Sequence, residues 1–465
     1  MRAGRPIRAE HSIACAINRA AGGRPVPGNQ VHLLIDGPNT YQAMLEAIAG
    51  AKRWVHFENY IIRSDAAGWR FAELLASRAR EGIHVRVLYD WFGSVATARS
   101  FWSYLRKAGV EVRAFHSPQL VNVVANVSRN HRKLVVADGS RAVLGGLCIG
   151  CEWTGESHGG QPWRDTAVDI HGPAAAVLDQ TFVAAWELTG SEVPPDQITG
   201  VVEPVGGADV RVISGEPGRE RAYRVIELLT AGSVERLWIT DAYLVAPPRL
   251  FQALRDAGKD GVDVRLLVPG SSDLPLIRDL SRIGYRDLLR SGVRIYEWDG
   301  PMLHAKTIMC DDRWVRVGSS NLNPSSLLGN YELDVLIEDP VLAEAMEAQF
   351  RRDVSRSREV TSRPVRGPRR ISQALPAVLT YQNPEVASAL HHRSGREARQ
   401  RAVLALRAIA SHARRSVFGP ISVMFIALGL LFVALPRQSA YVVAALCAWF
   451  ALGAGREAFR RRADR

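Results

Sequence analysis

The chain has 465 residues, 47% of them hydrophobic, and a formal net charge of +12. That length and apolar content allow two ordinary domains or one large duplicated one, and exclude a chain too polar to build cores. The charge is uneven: residues 357–465 hold eighteen arginines against five acidic side chains, so residues 1–356 are close to neutral. A near-neutral body argues against one built to hold nucleic acid, where a basic footprint is expected. An arginine-rich tail favours contact with anionic lipid.

In chain order, residues 1–28 read as an N-terminal arm, flexible or loosely docked. Arg2, Arg5 and Arg8 are followed by no apolar run of signal-peptide length. Residues 29–200 and 201–356 read as two like halves. Arg53 to Tyr60 lines up with Arg236 to Tyr243, Gly82 to Leu88 with Gly261 to Leu267, and Ala108 to Val112 with Ser291 to Ile295. Each half predicts a β-run, a helix (Trp69 to Arg80; Pro248 to Ala257), a second β-run, a second helix, a third β-run and then a hairpin. Strands alternating with helices predict an α/β layer structure with a mostly parallel sheet. Self-similarity at this scale predicts two halves facing each other. Pro194-Pro195 and Gly206-Gly207 mark the boundary between them.

Residues 357–415 read as an Arg-rich linker, in which 401–415 fits an amphipathic helix, either solvated or lying on a membrane surface. Residues 416–465 read as a membrane hairpin and basic tail. Val417 to Leu435 is 19 residues without a charge, Pro436 to Ser439 is a turn, and Ala440 to Gly455 is a second uncharged run. Arginines flank the pair on both sides, which places both flanks and the body in the cytoplasm.

The five cysteines are odd in number and sit in a large chain, so no disulfide framework is expected. Cys148 and Cys151 form a C-x-x-C pair with no second pair to complete a zinc site, which favours two packed small residues.

The chemistry lies in a repeated string. His131-Arg132-Lys133 is followed after four residues by Asp138, and His304-Ala305-Lys306 after four residues by Asp311. Gly145 and Gly318 each stand seven residues beyond the Asp. Phosphodiester chemistry needs a nucleophile, a proton for the departing alkoxide, and positive charge on the non-bridging oxygens. Two imidazoles supply the first two near neutral pH. Lys133 and Lys306 supply the third without a metal. On a strand, His131 and Lys133 share a face, as do His304 and Lys306. Asp138-Gly139 and Asp311-Asp312 predict tight turns. Gly145-Gly146 and Gly318, with the hydroxyls of Ser319 and Ser320, predict backbone and side chains open to phosphate oxygens.

These residues resemble the phospholipase D superfamily, whose signature is His-x-Lys-x4-Asp repeated twice. Asn130-His131-Arg132-Lys133 with Asp138 resembles its first motif, and His304-Ala305-Lys306 with Asp311 and Gly318 to Leu322 its second. Pro162 to Thr166 and Asn330 to Leu333 resemble stretches of the bacterial cardiolipin synthase branch. The resemblance spans about residues 30–350. It implies two pseudo-duplicated phospholipase D-like α/β/α halves sharing one active site, here with a C-terminal transmembrane helical hairpin. His131, Lys133, Asp138, His304, Lys306 and Asp311 would be the catalytic set, with His131 the nucleophile and His304 the acid/base. Asp138 and Asp311 more naturally brace the hairpin. Asp165 and Glu332 would each orient an imidazole. Asn130, Ser319, Ser320 and Asn321 would support the site, with Cys148 standing where the second half has Asn321. The implied activity is cardiolipin synthesis from phosphatidylglycerol, with a second donor lipid allowed, at the inner membrane and without metal, cofactor or nucleic acid. A phospholipase D hydrolase releasing phosphatidic acid, a nucleic-acid phosphodiesterase and a non-catalytic membrane scaffold are the alternatives.

Overall fold

The computed structural model describes residues 6–116, 128–157 and 159–361, all within one compact unit. The hairpin expected at 417–455 and the helix expected at 401–415 lie outside them. Among the described residues no helix is long and apolar enough to cross a membrane.

The chain opens with α1 (Pro6–Ala21), β1 (Val26–Ile35) and α2 (Asp36–Gly50). There follow β2 (Trp54–Asn59), α3 (Ala66–Arg80), β3 (His84–Asp90), α4 (Arg99–Lys107) and β4 (Glu111–Phe115). The hairpin β5 (Leu134–Ala137) and β6 (Arg141–Gly145) leads through the single turn α5 (Cys151–Thr154) to β7 (Thr166–His171) and α6 (Pro173–Glu187). The sequence of elements then repeats. It runs through β8 (Ala208–Gly215), α7 (Arg221–Gly232), β9 (Arg236–Thr240), α8 (Pro248–Lys259), β10 (Asp263–Pro269), α9 (Pro275–Ile283), α10 (Tyr285–Arg290) and β11 (Arg294–Trp298). The second hairpin is β12 (Thr307–Cys310) and β13 (Trp314–Gly318), followed by β14 (Glu332–Glu338), α11 (Pro340–Ser355) and β15 (Ser357–Glu359).

The described strands form one sheet in the order β15-β11-β10-β9-β12-β13-β14-β8-β1-β7-β6-β5-β2-β3-β4. The order reads the same outward in both directions from the β8–β1 pair, with β15 added at one edge. Antiparallel pairing of β1 with β8 makes the two halves one continuous sheet. The expectation of a mostly parallel sheet is corrected. Only β2-β3-β4 and β9-β10-β11 are parallel, because only there does a helix carry the chain back to the same end. Hairpin-connected and returning strands fill the middle with antiparallel pairs.

The motif-bearing strands β5 and β12 are buried on both faces, so they carry no polar alternation. On β5, Leu134 and Val136 face a core shared by both halves under α6 and α11, while Val135 and Ala137 face one beneath α2 and α3. On β12, Met309 enters the shared core, and Ile308 and Cys310 enter a third core with α1, α7 and α8. Two boundaries expected from sequence are also corrected. Residues 6–21 form a helix whose Ile17, Ala20 and Ala21 are buried in that third core, so this stretch is no loose arm. Ser357–Glu359 pairs with β11 as an edge strand and is not linker.

Candidate active site

Both motifs emerge at one edge of the sheet. Leu134 opposes Glu58 near the end of β2, and Thr307 opposes Thr240 at the end of β9. His131 and His304 lie just ahead of β5 and β12, in segments outside the strands. Each segment is stitched to the opposite half. The His131 N–H donates to Tyr331 O at 2.9 Å, and the His304 N–H to Arg164 O at 2.7 Å.

The side chains cross over in the same way. His131 Nδ1 lies 3.0 Å from Glu332 Oε2 and 3.1 Å from the Ser319 carbonyl. His304 Nδ1 lies 2.7 Å from Asp165 Oδ2. These partners only accept, so each Nδ1 carries the hydrogen, which leaves Nε2 as a lone pair in the neutral ring and as the acidic N–H in the charged one. Each imidazole is therefore held by a carboxylate from the other half, which the spacing of the motifs alone does not reveal.

Electrostatics bind the two motifs into one site. Burial depresses the His131 and His304 pKa values, and the ammonium groups of both Lys133 and Lys306 add to the depression at each ring. His304 is lowered to about 4. Burial also lowers Lys133, and lowers Lys306 to about 8. Against their own burial, Asp165 and Glu332 are held below the usual carboxylate range by His304 and His131 respectively. Lys133 and Lys306 each donate to the carbonyl of the histidine two residues earlier. Among the described residues that is the hydrogen bond recorded for each ammonium, and an ammonium has three donors. Two buried cations with donors to spare make a site for an anion.

Four aromatic residues that sequence reasoning passed over complete the walls. The Tyr60 ring lies 4.9 Å from His131 and beneath Lys133; the Tyr243 ring lies 6.0 Å from His304 and beneath Lys306. Their equivalence was already visible, since both end the aligned stretches that include β2 and β9. Trp153 and Trp163 stand 5.6 and 5.7 Å from His304, and Trp153 Nε1–H donates to Asp165 Oδ2 at 3.2 Å. Nothing in the second half mirrors this tryptophan pair in sequence.

The glycine-serine segments do different work from that expected. Ser319 Oγ bonds Glu332, and Ser320 Oγ bonds Asp334 Oδ2 at 2.6 Å. The main-chain N–H groups of Ser319, Ser320 and Asn321 go to Leu333 O, Asp334 Oδ1 and Ser326 Oγ. These groups brace carboxylates and strands, and none is open to phosphate. A Cβ on Gly146 would sit 2.3 Å from Asp165 Oδ1, and one on Gly318 2.0 Å from Asp334 Oδ1. Both glycines make room for carboxylates. Asn130 is likewise internal, donating to Glu58 Oε1 at 2.6 Å.

Asp138 and Asp311 lie at the far ends of β5 and β12, away from the histidines. Asp138 accepts from the N–H groups of Lys52, Arg53 and Trp54, and Asp311 from those of Val234, Glu235 and Arg236. Cys148 is buried, which raises its thiol pKa although Lys133 and Lys306 act against the rise.

Comparison with known proteins gives a consistent picture. Residues 225–354 match the family model described as cardiolipin synthase, PLD-like domain. The chain is 35% identical over 348 residues to cardiolipin synthase A of Pseudomonas entomophila (strain L48), covering 74% of this chain and 72% of that one. It is 35% identical over 375 residues to cardiolipin synthase A of Pseudomonas fluorescens (strain SBW25), covering 79% and 78%. In fold it is similar to a phosphatidylserine synthase from Haemophilus influenzae Rd KW20, with a TM-score of 0.60 at 17% identity over 77% of this chain and 92% of that one.

Proposed function

This chain belongs to the cardiolipin synthase family of phospholipase D-type enzymes, and from that premise we propose that it is a phospholipid phosphatidyltransferase making cardiolipin from phosphatidylglycerol. The observation that carries the chemistry is the crossed pair of histidines, each held by a carboxylate of the other half beside two buried ammonium groups.

One Nε2 attacks the phosphatidyl phosphorus. The bond from phosphorus to the glycerol headgroup breaks, and the second imidazolium gives its proton to the departing alkoxide. The phosphohistidine is then attacked by the headgroup hydroxyl of a second phosphatidylglycerol, whose proton returns to the second imidazole as the P–N bond breaks. Two phosphatidylglycerols yield one cardiolipin and one glycerol. Lys133 and Lys306 stabilise charge on the non-bridging oxygens throughout.

The family resemblance makes His131 the nucleophile and His304 the acid. A second reading reverses them, favoured by the depression of His304 to about 4, which suits a lone pair better than a proton. A substrate with a p-nitrophenolate leaving group, which needs no proton, separates the two. The variant lacking the acid keeps its first turnover, and the variant lacking the nucleophile does not.

The activity is tested with purified protein and phosphatidylglycerol in detergent, the lipids being resolved by chromatography. Cardiolipin with stoichiometric glycerol is expected, and neither His131→Ala nor His304→Ala should form it. Phosphatidic acid without cardiolipin would replace the transferase by a hydrolase. The uncharged runs 417–435 and 440–455 would hold the enzyme in the cell's inner membrane with its body on the cytoplasmic side. Release by carbonate alone would contradict that placement.

A further inference from the structure

Helix α9 is amphipathic, and it is built inside out. It buries none of its side chains. Leu276, Leu280 and Ile283 recur at helical spacing and so share one face; they are 72, 42 and 76% exposed. With Leu274 they make four of the eleven exposed large apolar side chains among the described residues, all within ten positions. At 100° per residue Arg278 and Arg282 project from the opposite face. From that face Arg282, its side chain 38% exposed, reaches back to β11, with Nε 2.8 Å from Glu297 Oε1. A surface helix ordinarily does the reverse.

Its position ties it to the catalytic chemistry. β10 runs parallel to β9, so its final residue, Pro269, reaches the same sheet edge as the end of β9, beyond which His304 lies. Asp273, two residues before α9, accepts a hydrogen bond of 2.8 Å from the hydroxyl of Tyr243, whose ring faces His304. The apolar stripe therefore stands on the rim of the site.

We propose that α9 is a lipid-surface contact at the mouth of the active site, its apolar stripe entering the interfacial layer of an anionic phospholipid bilayer. This rests on the phospholipid reading of the site. α9 and the helix that follows carry four arginines against two aspartates, a net positive charge along the segment that bears the stripe, where anionic headgroups would lie. Three apolar side chains on one short helix, with Leu274 just ahead of it, cover far less than the roughly 800 Å² per partner of a stable protein interface. A substrate molecule would then reach His304 by lateral movement, its headgroup entering the site while its acyl chains stay in lipid.

The test uses the full chain reconstituted in phosphatidylglycerol-containing bilayers, with p-benzoyl-phenylalanine placed at residue 280. The same probe at residue 341, which is exposed at the opposite sheet edge, serves as control. Lipid adducts are expected at 280 and not at 341. A cross-linked dimer, an adduct to residues 362–465, or equal lipid labelling at both positions would overturn the proposal. A second arm compares turnover by the variant Leu276→Ser, Leu280→Ser, Ile283→Ser. At least a tenfold loss is expected on bilayer phosphatidylglycerol, with turnover of a monomeric short-chain phosphatidylglycerol kept within twofold. An equal loss on both would assign the stripe a structural role. If the parent turns over neither lipid, the transferase reading fails, and the cross-link still decides what α9 touches.

Discussion

A histidine whose Nδ1–H donates to a buried carboxylate has its tautomer and orientation fixed, and the imidazolium formed during reaction is stabilised. Asp165→Asn and Glu332→Gln keep the shape and remove that charge. Each is expected to lower kcat by about 10²- to 10⁴-fold with an unchanged circular dichroism spectrum. A loss under fivefold in steady-state kinetics would deny the carboxylate its role. The pH profile follows from two other groups. His304 stays unprotonated down to about 4 and Lys306 stays charged up to about 8. Where His304 is the nucleophile, kcat/KM should fall as pH drops through the first value, because its imidazole gains a proton; where His304 is the acid, kcat/KM should instead rise there. It should fall as pH rises through the second, where the ammonium loses its proton. Lys306→Arg, whatever its rate, should move the alkaline limb upward, since a guanidinium keeps its charge. A limb that stays in place belongs to another group.

At the scale of elements, the repeated string His-x-Lys-x4-Asp divides into two jobs at the two ends of one short strand. The His–Lys end faces the site. The Asp end closes the hairpin with φ of 53° at Asp138 and 51° at Asp311, and each carboxylate gathers three main-chain N–H groups from the segment leading into β2 or β9. Asp138→Ala loses those bonds and leaves a β-carbon in left-handed backbone. It is expected to cost about 2–3 kcal/mol of stability, read from denaturant unfolding, with kcat within twofold where the protein is folded. Loss of turnover in a folded variant would place Asp138 at the substrate instead. The α9 stripe belongs to this scale too: its period was readable, but only the fold shows which face turns outward.

Across the whole molecule, the pseudo-symmetric sheet makes one site from two incomplete halves. Because each imidazole and its carboxylate come from different halves of one chain, co-expressed His131→Ala and His304→Ala chains should not complement each other. Restored cardiolipin formation in the mixture would mean that sites assemble between chains. The sequence by itself determined the duplication, the strand–helix–strand order of each half, the two motifs and the phosphoryl-transfer chemistry, because those are carried by residue type and local spacing. Only the tertiary structure decided that the sheet is mainly antiparallel at its centre. It also decided that residues 6–21 dock as a helix, and that serines and glycines serve carboxylates in place of a ligand. Above all it decided that Asp165 meets His304 and Glu332 meets His131. Those contacts join residues 139 and 201 positions apart. No local spacing encodes them; they follow from β1 pairing with β8 and from the stitching of each motif onto the strand entry of the other half.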